Sequence, residues 1–232
     1  LEEYKWPSYQ PRKKELVTAR TIPPSRRSLT GLFPSRKNDG LVPFESALER
    51  DLIVLLEFDE SVLSYEAQPL KLHYRSSGGR PVVGHPDFLV RYRYGRGGPP
   101  MLCDVKYRQE LREDWSRLRP RLKAAAVYAR ERGWGYRIQT DREIRTAYLE
   151  NARFLLPYAN RAPHPEHELV IIAALIEIGP TTVQELLEAI CADPWNRAQL
   201  IPTLWCLVGR HNIETDYNRP LGVDTPLWFP NS

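Results

Sequence analysis

Two short apolar runs, Phe88 to Val90 and Met101 to Cys103, are separated by a turn rich in glycine and proline, and each carries an aspartate at one end. Asp87 stands before the first run and Asp104 closes the second. Side chains alternate along a strand, so Asp104 and Lys106 project to one face while Cys103 and Val105 point to the other layer. Pro86 holds His85 extended and opens the first strand. Pairing the two strands can bring the Asp87 and Asp104 carboxylates within a metal's diameter of each other. The surrounding text fits a sheet flanked by helices. Phe44, Leu48, Leu52, Leu55 and Leu56 recur at helical spacing from Pro43 onward, with an exit near Asp59 and Ser61. Leu70, Leu72 and Tyr74 alternate with Lys71, His73 and Arg75 up to a Ser-Ser-Gly-Gly turn, which predicts a hairpin. A basic helix is expected from Asp114 or Pro120 to Arg132, then a strand from Trp134 to Thr140, then a helix capped by Asp141 and ending near Tyr158.

The 232 residues allow one substantial core plus a small second domain, and 42% hydrophobic with 27% charged residues excludes disorder throughout. Residues 1–40, rich in Pro, Arg, Lys and Ser, read as an extended basic arm carrying Arg12, Lys13, Lys14, Arg26 and Arg27. The mixed α/β domain is expected over 41–158, and a proline-bearing linker over 159–165. In 166–232 three short helices, the second capped by Thr181 or Thr182, precede a small hairpin around Asn218 to Gly222. Three helices and a two-stranded wing describe a winged-helix-like domain. No stretch reaches the roughly 18 apolar residues of a membrane span, and no signal-peptide core is seen, so the expected location is the cytoplasm. Cys103, Cys191 and Cys206 form no C-x-x-C pair and read as small core residues of a reducing compartment.

Two close carboxylates repel unless a cation lies between them. Mg²⁺ suits the place, with Mn²⁺ as its substitute, because it takes hard oxygen ligands and relies on one or two carboxylates plus substrate phosphate. Lys106 beside such a site can orient water or stabilise charge that builds on a phosphorane-like transition state. Upstream, Glu45 and Glu49 are four apart on one helix face, and either can lean over the sheet edge. Asp87 and Asp104, 17 residues apart, are consistent with the PD-(D/E)xK nuclease pattern, a restriction-endonuclease-like mixed sheet flanked by helices.

The run from Ser35 to Arg75, followed by His-Pro-Asp-Phe-Leu-Val and Cys-Asp-Val-Lys-Tyr-Arg, resembles the TnsA family, the endonuclease subunit of heteromeric cut-and-paste transposases. The resemblance covers about residues 30–157 and extends more weakly to the terminal module. It implies catalytic residues at Glu49, Asp87 and Lys106, with Asp104 at a position where some members carry glutamine. It also implies cleavage at the 5′ ends of a bacterial transposon, at the nucleoid, together with a TnsB-like transposase that handles the 3′ ends and a TnsC-like ATPase.

Charge divides the chain. Arg91 to Arg145 holds 15 basic and 7 acidic residues, whereas His164 to Ser232 holds 3 basic and 9 acidic. Arg117, Arg119, Arg121 and Lys123 are expected to form a face for the backbone of double-stranded DNA, positioning it without reading sequence. The acidic end opposes DNA binding and favours a protein partner, with Trp195, Trp205 and Trp228 as candidate anchors. A restriction or repair nuclease on the same fold, and a non-catalytic adaptor, are the competing readings. The first would cut alone, and the second would be expected to lose a charged member of the Glu49, Asp87, Asp104, Lys106 set.

Overall fold

A computed structural model describes residues 29–38 and 40–230 of the chain. Arg12, Lys13, Lys14, Arg26 and Arg27 of the expected arm lie outside them. The first elements are β1 (Gly31–Ser35), β2 (Gly40–Phe44), α1 (Ala47–Phe58), β3 (Val62–Ala67), β4 (Leu72–Arg75), β5 (Pro81–Gly84), β6 (Phe88–Tyr92) and β7 (Met101–Val105). There follow α2 (Arg108–Glu113), α3 (Trp115–Glu131), β8 (Gly135–Gln139), α4 (Asp141–Ile144) and α5 (Ala147–Ala159). The last are α6 (Pro165–Ile178), β9 (Thr181–Thr182), α7 (Val183–Ile190), α8 (Pro194–Gly209) and β10 (Pro226–Leu227). Among them no helix is long and apolar enough to cross a membrane.

The described residues divide into two compact units, and the first takes 29–38, 40–47, 61–104 and 114–138. Its sheet has the order β3-β6-β7-β8. β6 runs antiparallel to both neighbours, with Phe88 opposite Cys103 and Leu89 opposite Leu102. At the far edge Gly135 N donates to Pro100 O at 2.9 Å and Lys106 N to Gln139 O at 3.1 Å. These bonds follow the same order along both strands, so β8 is parallel to β7 and the sheet is mixed. Leu72, Leu89 and Leu102 bury against Ala125 and Ala129 of α3, whose small side chains, four apart, let the helix lie close. Each leucine so buried contributes about 2 kcal/mol. The β4–β5 hairpin forms as expected, Leu72 pairing with Gly84.

One expectation fails here: the arm does not extend to residue 40. β1 pairs with β2, Gly31 opposite Phe44, and Val42 and Phe44 are buried. Pro34 and Pro43 hide this hairpin in the sequence, and both are tolerated because a two-stranded ribbon consists of edges. Phe44 therefore ends a strand, and the helix starts at Ala47.

The second unit takes 48–60, 105–113 and 139–230. α5 packs along α8. A Cβ at Gly209 would sit 3.0 Å from the Leu155 carbonyl, so this glycine permits the close approach. Phe58 of α1 meets the rings of Tyr148, His211 and Tyr217 at centroid distances of 5.7, 4.9 and 5.4 Å. α6, α7 and α8 form the expected three helices, and Thr182 caps α7. The wing differs from a simple hairpin: β10 pairs with β9, and only Glu214 and Trp228 bridge across the expected strands. The division also precedes the expected linker at 159–165. α5 buries Leu149, Ala152 and Leu155, and α8 covers it, a pairing that helical periodicity alone does not reveal.

Candidate active site

The β6–β7 register ends at Phe88 opposite Cys103, so Asp87 stands just before the last pair on one strand and Asp104 just after it on the other. The backbone of Asp87 is held on both sides: its N–H donates to Cys103 O at 3.0 Å, and its carbonyl accepts from Gln68 N at 2.9 Å. Asp104 has no exposed surface. Its Oδ1 pairs with Arg121 Nη1 at 2.6 Å, and its Oδ2 accepts from Tyr136 Oη at 2.7 Å. The same Arg121 nitrogen donates to the His85 carbonyl at 2.6 Å, tying α3 to the entry of β6. Gly84 makes room for this guanidinium stem, since a Cβ there would meet Arg121 Cδ at 2.9 Å.

The electrostatics follow from burial and charge. Burial alone would lower the Arg121 pKa, but the Asp104 and Asp87 charges raise it above its ordinary value and keep it cationic. Burial first, then the Asp104 charge, pushes the Tyr136 phenol up, so it stays a donor. The same two causes push the Cys103 thiol up to about 12, which makes it an inert core residue.

Residues 59–141 match the model of the TnsA-like endonuclease N-terminal domain, and residues 143–217 match that of the TnsA endonuclease C-terminal domain. The chain belongs to the TnsA family. Its endonuclease domains make it a nuclease subunit of a transposase. No curated protein matches it.

Several residues of this TnsA chain sit differently from their sequence-based expectation. Arg121 does not stand in an exposed DNA-facing row, for its side chain is only 13% exposed and is spent on Asp104 and His85. Arg119 and Lys123 are exposed on α3, as is Arg117, which pairs with Asp114 at 2.5 Å. The cation expected between the two aspartates has a protein counterpart, since Arg121 supplies countercharge to both. Lys106 follows β7 directly, and its Nζ donates to Val105 O at 2.7 Å. Glu49 lies in the first turn of α1, whereas Glu45 precedes the helix and shares no helical face with it. Sequence reasoning missed Tyr136 and Gly84. The alternation of Tyr136 with Arg137 along β8 was the available signal for the first.

The donor set of this TnsA chain suits a hard divalent cation. Among the described residues no three His, Cys, Asp or Glu side chains gather around a common point. An ion held by one or two carboxylates plus substrate phosphate is the arrangement Mg²⁺ favours. Asp87 would fit that role, while Asp104 has Oδ2 bonded to Tyr136 and its buried Oδ1 ion-paired with Arg121 but without a hydrogen bond.

Proposed function

We propose that this chain is a Mg²⁺-dependent DNA endonuclease that cuts the 5′ ends of a transposon. It works with a TnsB-like transposase, which cuts and joins the 3′ ends, and a TnsC-like ATPase. The observation that carries this reading is the pairing of β6 with β7, which leaves Asp87 and Asp104 next to its last pair, Phe88 and Cys103, inside the stretch that matches the endonuclease model.

The resemblance to the TnsA family gives Asp87 and Glu49 as the carboxylates that would hold the ion, and Mn²⁺ would substitute. When bound, the ion polarises a phosphoryl oxygen and lowers the pKa of its water. Water oxygen bonds to phosphorus and gives up a proton, the bridging P–O bond breaks, and the leaving oxygen takes up a proton, so that one water is added across the bond. The Lys106 ammonium stabilises the negative charge that builds on the non-bridging oxygens. Asp104, neutralised by Arg121, is tied through that guanidinium to the His85 carbonyl ahead of β6. Arg117, Arg119 and Lys123 meet backbone phosphates. The acidic C-terminal region, with Leu169, Ile176 and Trp195 exposed at 70%, 69% and 82%, suits a protein partner better than DNA.

The test is cleavage of end-labelled transposon DNA by the chain reconstituted with its partners. Metal-dependent 5′ cutting only in the full mixture is expected. Efficient site-specific cutting by the chain alone would favour a restriction-type enzyme instead, and 3′ cutting without 5′ cutting would favour an adaptor.

A further inference from the structure

Lys106, Tyr107 and Arg108 are three consecutive residues, and each is held by the stretch 139–145. Lys106 N donates to Gln139 O at 3.1 Å, and Arg108 N donates to Asp141 Oδ1 at 2.7 Å. Arg145 Nη2 donates to Tyr107 Oη at 3.2 Å, with its guanidinium carbon 5.4 Å from the ring centroid. The stretch is itself fixed at both ends of α4. Thr140 and Glu143 form a reciprocal capping box, and Ile144 is fully buried.

Arg145 also reaches α1. Its Nε donates to Asp51 Oδ2 at 2.9 Å, and Asp51, 1% exposed, takes Arg153 on its other oxygen. Asp51 stands two residues after Glu49 on the same helix. One guanidinium therefore joins the helix that bears Glu49 to the backbone that bears Lys106. A guanidinium is a rigid planar fork, so bonds from two of its nitrogens, Nε and Nη2, constrain the separation of the groups they hold.

We infer that α4 and Arg145 form a clasp that positions Lys106 relative to the first turn of α1, Arg145 and Tyr107 being positioning residues rather than catalytic ones. This rests on the reading of Lys106 and Glu49 as reacting groups. Small displacements of such groups cost rate steeply without changing how much DNA is bound. The arginines around Asp51 are thus placed to serve geometry, not phosphate contact.

The test uses the full chain with its transposase partners and single-turnover 5′ cutting. Tyr107→Phe removes one hydroxyl, and Arg145→Lys keeps the charge on Asp51 but loses the fork. Each is expected to slow cutting about three- to tenfold, the worth of one hydrogen bond. DNA affinity and melting temperature should stay unchanged, and the double variant should be no slower than the slower single. Wild-type rates in both single variants, multiplicative losses in the double, or losses that track DNA affinity would overturn the clasp. If Arg145→Lys lowers the melting temperature, Tyr107→Phe carries the test alone. Lys106→Ala separates the two levels: near wild-type cutting by that variant overturns the catalytic reading itself. An inactive Lys106→Ala beside fully active Tyr107→Phe and Arg145→Lys overturns only the clasp.

Discussion

A carboxylate with no exposed surface needs partners, and Asp104 has Arg121 and Tyr136. Replacing it with asparagine removes the ion-pair partner of a guanidinium that is only 13% exposed and leaves it the Asp87 charge alone. Breaking such a pair costs about 3 kcal/mol. Asp104→Asn should therefore lower the denaturant midpoint as well as cutting. An Asp104→Asn protein of wild-type stability that no longer cuts would mean that Asp104 acts in the chemistry directly. Asp87→Ala and Lys106→Ala should behave differently, abolishing 5′ cutting while partner-dependent 3′ cutting continues and the midpoint barely moves. Unchanged 5′ cutting by both would sink the site assignment. Between the two glutamates, Glu49→Ala should cost more activity than Glu45→Ala, because only Glu49 is fixed by α1.

At the level of elements, α4 and α7 open with the same device, a threonine and a glutamate three residues on that satisfy each other's backbone donors. The sequence shows both boxes. The expectation chose Thr181 or Thr182 correctly but placed the α4 cap on Asp141 instead of Thr140, because Asp141 is also a good capping residue and carries a different bond, to Arg108 N. Thr140→Ala and Thr182→Ala should each cost about 1 kcal/mol in denaturant unfolding. Only Thr140→Ala should also slow 5′ cutting, since α4 holds the segment that bears Lys106. Bonds from the Thr140 side chain, then its backbone, hold the Glu143 carboxyl below its ordinary value of 4.5. A depressed folded pKa contributes stability that is fully present above the ordinary value and is lost as pH falls through the depressed one. The difference in melting temperature between the wild type and Glu143→Gln should thus be present at pH 7 and shrink below about pH 4. A difference that grows on acidification would contradict the box.

On the scale of the whole molecule, the charge division sets how the chain meets DNA. Each phosphate contact contributes about 0.9 to the slope of log affinity against log salt. Replacing Arg117, Arg119 and Lys123 together with alanine should lower that slope by about three, uniformly across DNA sequences. An unchanged slope would move the DNA-facing surface elsewhere. The packing of α5 on α8 yields a second expectation. A chain ended after Tyr158 uncovers Leu149, Ala152 and Leu155, each fully buried, and should not melt cooperatively. A soluble fragment with a sharp transition would show that α5 belongs with the sheet after all.

Local pattern alone determined a good deal of this protein. The strands at Phe88–Tyr92 and Met101–Val105, the aspartates at their ends, the three C-terminal helices and the basic middle are all written within a few residues of themselves, where side-chain period, turn chemistry and charge act. The β1–β2 hairpin escaped because two prolines mask its alternation. Tertiary structure alone decided which charges are spent on one another. Arg121 reaches the His85 carbonyl 36 positions away, and Arg145 reaches Asp51 across 94. An arginine in sequence carries the same charge and the same fork whether it faces phosphate or a buried carboxylate. What separates those fates is desolvation, which exists only once distant segments have closed over the site.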